Sequence, residues 1–120
     1  MKPNVVLTVT SLLSILLLSI HVTDDVVHGF DQWRPSSPVF CVILGVLLYG
    51  TLVLAERRSG LILMLIVGLG AMGMPVIHRG AGHVAKSSGG FLFLWTLIAL
   101  GATGTLTMIL AIRGLRRRLT

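Results

Sequence analysis

Charge is scarce in this chain. Only 12% of its 120 residues are charged, about half the roughly 25% of an ordinary soluble domain. Cysteine is scarcer still. A single one, Cys41, rules out an internal disulfide and any Cys-x-x-Cys redox or zinc pair, and it leaves the redox compartment unread. Aromatic residues make up 6%, and none interleaves with a basic stripe. The net charge of +6 and the pI near 11.2 therefore do not indicate nucleic-acid binding. Alternating ten-residue segments, the signature of a transmembrane barrel, are also missing.

What the chain has in abundance is apolar sequence. Hydrophobic residues account for 54% and mean hydropathy is +0.94, more than the surface of a water-soluble fold of this size can carry. Four runs without Asp, Glu, Lys or Arg stand out: 5–22, 38–55, 60–77 and 90–112. About 20 helical residues, rising about 1.5 Å each, cross the roughly 30 Å hydrocarbon core of a bilayer. In lipid each backbone must satisfy its own hydrogen bonds, so each run is expected to be a helix. The first run is longer than a signal-peptide core and lacks a small-x-small cleavage site, so it is expected to be retained. The short connections make neighbouring helices antiparallel. The expected fold is all-α: one domain, an integral membrane bundle of four antiparallel helices.

The basic residues orient it. Lys2, Arg57, Arg58, Arg113, Arg116, Arg117 and Arg118 fall on one side, and Arg34, Arg79 and Lys86 on the other. The positive-inside rule puts the larger group in the cytoplasm, with both termini inside. Arg57, Arg58, Arg113, Arg116, Arg117 and Arg118 would then set topology and meet lipid headgroups. Small size and the lack of sorting signals suggest the cytoplasmic membrane of a prokaryote.

The third run contains Gly68-Leu69-Gly70-Ala71-Met72-Gly73. This reads G-x-G-x-x-G, but a dinucleotide site needs a strand before it and a helix opening after it. In mid-membrane the pattern means close helix packing through small residues. Gly68, Gly70 and Gly73 would face Gly101 and Gly104 of the fourth run, or form a dimer face.

The richest chemistry lies in His21-Val22-Thr23-Asp24-Asp25-Val26-Val27-His28. If the first helix continues to His28, then His21, Asp24, Asp25 and His28 occupy positions i, i+3, i+4 and i+7 on one face. His78, at the end of the third run, should reach a similar depth, and His83 follows in the next connection. Imidazoles with carboxylates suit Zn or Cu(II) better than Ca or Mg. His21, Asp24, Asp25, His28, His78 and His83 are therefore candidate metal ligands, while haem between His21 and His78 would need a roomy pocket and is disfavoured. The same residues also suit plain helix capping and interfacial polarity.

Three functions are compatible with these features. Foremost is a non-catalytic subunit, scaffold or assembly factor, packing on itself or on another membrane protein. The second is a metal-binding or redox membrane protein with an outer His/Asp site. The third is a small-solute channel or carrier, ranked last because ionisable groups inside the runs, the usual mark of a solute pathway, are nearly absent. An enzyme is disfavoured: no nucleophile–base pair is evident and the loops are short.

Overall fold

The computed structural model describes residues 3–28, 37–78 and 90–118. They form four helices: α1, Pro3–His28; α2, Ser37–Leu52; α3, Arg58–Ile77; α4, Gly90–Arg117. The expected all-helical membrane bundle is present. α1, α3 and α4 are long and apolar enough to cross a membrane, and α2 carries a shorter apolar stretch, Phe40–Leu52.

Contacts between the helices fix their directions. Leu7 of α1, Leu61 and Met64 of α3 and Ala111 of α4 share one cluster. Ile15, Leu47 and Val67 share a second, and further along His21 meets His78 and Phe93. Numbers rise together in α1 and α3 and fall in α2 and α4, so sequential neighbours are antiparallel. α3 and α4 make the most extensive interface, α1 packs on both, and α2 touches α1 and α3 but not α4.

The helix ends differ from the runs read in the sequence. α1 continues six residues past Val22, through Asp24 and Asp25, because charged residues at a helix end can leave the hydrocarbon without breaking the helix. α4 continues through Arg113, Arg116 and Arg117, where cations favour the negative end of the helix dipole. α2 stops at Leu52 instead of 55, since Val53–Arg57 form the turn into α3. Arg57 N–H donates to the Leu54 carbonyl at 2.8 Å, and the same carbonyl lies against Gly60, where a side chain would collide with it.

α1 reverses the amphipathicity of a soluble helix. Val5, Val9, Leu13, Leu16 and Ile20 are exposed, while Ser11, Ser14, His21 and Asp24 are buried. An apolar exterior of this extent is stable against lipid and would drive aggregation in water. The inward hydroxyls join helices. Ser11 Oγ and Thr51 Oγ1 lie 3.0 Å apart across α1 and α2. Ser14 Oγ donates to its own helix at the Thr10 carbonyl and lies 3.4 Å from Thr107 Oγ1 of α4. In a membrane such a bond contributes about 0.6 kcal/mol on average, so the seam fixes register more than it adds stability.

α3 and α4 meet at Gly68 and Gly104. A Cβ on Gly104 would lie 2.5 Å from the Met72 nitrogen and 2.8 Å from the Gly68 carbonyl oxygen. Pro75, two residues before the end of α3, rests on Gly101, where a Cβ would come within 3.1 Å of the proline ring. Gly70 and Gly73, expected in the same interface, are turned away from it, with open space where a side chain would go. At about 100° per residue, positions 68, 71, 72 and 75 share a face that 70 and 73 do not.

Candidate functional site

The end of the bundle remote from Arg57, Arg58 and the arginines of α4 holds a buried polar cluster. The backbone of α1 is helical to His28, so His21, Asp24, Asp25 and His28 take the i, i+3, i+4 and i+7 positions. The structure describes the side chains of His21 and Asp24. Those of Asp25 and His28, and all of His83, lie outside the described residues.

His21 is only 1% exposed although it is polar. Its Nδ1 lies 2.9 Å from Thr96 Oγ1 on α4. The Thr96 hydroxyl is also 3.0 Å from the Leu92 and Phe93 carbonyls of its own helix. A hydroxyl has one proton, and threonine in a helix ordinarily gives it to a carbonyl three or four residues back. Nδ1–H then donates to Thr96 Oγ1, which leaves Nε2 with a lone pair. That Nε2 is buried and has no hydrogen-bond partner among the described residues.

Aromatic contacts hold the ring in place. The Phe93 ring is tilted against it at 4.7 Å between centroids, and the His78 ring stands edge-on at 5.3 Å. His78 is likewise edge-on to Phe93 at 5.3 Å. The helix runs through Pro75 and ends at His78, whose N–H donates to the Met74 carbonyl at 3.1 Å. This sets the half-buried His78 beside His21 and Phe93. The two histidines expected at equal depth thus meet, with Phe93 packed on both. Among the described residues, no three His, Cys, Asp or Glu side chains are grouped to hold a metal ion.

One helical turn beyond His21, Asp24 is 7% exposed. It also lines a groove of about 340 Å³ between α1 and α4, with Ser19, Ile20, Thr23, Val27 and Leu92. Small-ligand pockets begin at about 300 Å³. The Ser19 and Thr23 hydroxyls donate to the Ile15 and Ser19 carbonyls, so apart from Asp24 the walls are largely apolar. The groove surface is almost wholly apolar: Asp24 presents little polar area to it and His21 does not line it.

Sequence reasoning singled out His21, Asp24 and His78 but missed Thr96 and Phe93, which hold the imidazole in place. Their place on α4 emerges only with the structure, where Phe93, Thr96, Leu97, Leu100, Gly104, Thr107 and Ala111 form the buried face. The buried hydroxyls Ser11, Ser14 and Thr51 were also overlooked. In an apolar run, serine and threonine do not disturb the hydropathy that defines it.

The fold and this cluster define a multi-pass helical membrane protein whose polar groups face inward. The family model that matches is that of the BioY family, over residues 6–117, and the chain belongs to that family. No curated protein and no solved structure matches it.

Proposed function

We propose that this chain is the membrane-embedded, solute-recognising component of a biotin transporter. The BioY family is a family of biotin transporter components, and that membership favours the carrier reading over the scaffold or assembly factor ranked first from sequence. The carrying observation is the buried His21, whose Nε2 has no partner among the described residues, one turn from Asp24 and its groove. It supplies the intramembrane ionisable group whose near-absence from the runs had lowered the carrier reading. Biotin has a bicyclic ureido head with two N–H donors, and an apolar chain ending in a carboxylate. Nε2 and the Asp24 carboxylate accept from the ureido N–H groups. The apolar walls take the rings and chain, and Arg79, next after His78 in sequence, is of the right charge for the carboxylate.

The chain lies in the bacterial cytoplasmic membrane with both termini inside, so this polar end faces outward, toward incoming solute. The sequence contains no Gly-Lys phosphate-binding loop, and energy for uptake comes from partner components. Equilibrium dialysis of the detergent-solubilised full chain against radiolabelled biotin should show saturable binding near one site per chain, displaced by unlabelled biotin. No saturable binding would sink the proposal.

The same Nε2 lone pair supports a second reading, a Zn or Cu ion held by His21 and Asp24 together with Asp25, His28 and His83. Elemental analysis of the purified chain after loading with Zn or Cu checks it. The expected result is about one ion per chain, lost in the His21→Phe variant. A metal-free chain after loading leaves biotin recognition alone.

A further inference from the structure

The opposite end of the bundle carries a second cavity, of about 290 Å³, between α1, α3 and α4. Its walls are Leu7, Leu61 and Leu110, and its rim is Arg113, Arg117 and Arg118. Gly114 also lines it. A side chain there would press on Leu61, at 3.0 Å from its Cδ2. We infer that this cavity is a binding site for one anionic phospholipid, whose headgroup phosphate is held by Arg113, Arg117 and Arg118 and whose upper acyl chain lies against Leu7, Leu61 and Leu110.

The position of α4 supports this. Its 28 residues rise about 42 Å, beyond the roughly 30 Å hydrocarbon core. The apolar stretch ends at Ile112, which puts Arg113 at the hydrocarbon boundary and Arg117 one turn further, in the headgroup layer. Arg113 and Arg117 are four residues apart, so both rise from one helix face. Guanidinium groups bind phosphate oxygens through paired N–H donors. The charge balance agrees, since Glu56 is the only acid against seven basic residues assigned to this end by sequence. The leucine walls commit the site to a lipid: a free phosphate ion gains nothing from them, whereas an acyl chain does.

The test is native mass spectrometry of the full chain in detergent, with phosphatidylglycerol or phosphatidylcholine added. The wild type should retain one phosphatidylglycerol in preference to phosphatidylcholine. The triple variant Arg113→Gln/Arg117→Gln/Arg118→Gln should retain it more than about 10-fold less well, since each arginine near an anionic headgroup is worth roughly fivefold. Leu110→Trp, which fills the cavity and leaves every charge in place, should lose it too. Arg57→Gln/Arg58→Gln, at the same end but outside the cavity, should retain it. Equal loss in that control would reduce the effect to diffuse charge and overturn the site. Full retention by both the triple variant and Leu110→Trp would overturn it as well, as would displacement of the lipid by millimolar inorganic phosphate. Only the variants' lipid retention is compared, so the outcome does not depend on biotin recognition at the other end.

Discussion

The His21→Phe variant should bind biotin about 100-fold more weakly than the wild type while remaining folded. Phenylalanine keeps a ring of similar size against Phe93 and His78, whose centroids lie 4.7 and 5.3 Å from that of His21. It removes both ring nitrogens. Loss of the Nδ1 bond leaves no stranded donor, because the Thr96 proton already goes to the Leu92 and Phe93 carbonyls. The fold should therefore lose only about 1 kcal/mol. Loss of Nε2 is costlier in the complex. A solute N–H buried against the new ring has no acceptor, at a cost of about 1–3 kcal/mol in addition to the bond itself, and about 2.7 kcal/mol corresponds to about 100-fold in Kd. Titration calorimetry gives the affinity, and thermal unfolding in the same detergent confirms the fold. An unchanged Kd in a folded variant would make His21 a packing residue and move recognition elsewhere.

Much of the fold was legible in the sequence because lipid simplifies the rules. A run of about 20 apolar residues with no charge has few alternatives to a spanning helix, and the four runs became α1 to α4. The ends were less legible. Hydropathy locates the border of the hydrocarbon, whereas a helix stops where its backbone bonds stop. α1 therefore outran its apolar run to reach His28, and α2 gave up Val53, Leu54 and Ala55 to a turn. The site was partly legible for a related reason. Histidine and aspartate stand out in an apolar chain, so His21, Asp24 and His78 were visible. Thr96 and Phe93 were not, because their part depends on which face of α4 meets α1, and an almost uniformly apolar helix does not show its inward face by hydropathy. Burial was not legible either: His21 and Asp24 were read as candidate metal ligands or as interfacial polar residues, and they are nearly fully buried within the bundle.

The same distinction between pattern and face governs the glycines, and it predicts opposite signs for one substitution. Gly70→Ala and Gly73→Ala should each raise the stability of the bundle by about 0.5–1 kcal/mol, because alanine is the better helix former and open space receives its methyl group. Gly104→Ala gains the same propensity and should nonetheless lower stability by about 2–3 kcal/mol, the cost of overpacking a closed interface. Its methyl group would lie 2.5 Å from the Met72 nitrogen and 2.8 Å from the Gly68 oxygen. Those are backbone atoms and cannot rotate aside, so α3 and α4 must separate. Separation also loosens Pro75 on Gly101 and, one turn on, His78 against Phe93, so Gly104→Ala should weaken biotin binding from a position far along the helix. Thermal unfolding of the three variants in one detergent decides the matter. If Gly104→Ala melts at or above the wild type, as Gly70→Ala should, the two helices do not cross at Gly68 and Gly104. The placement of His78 beside His21 would then lose its main support.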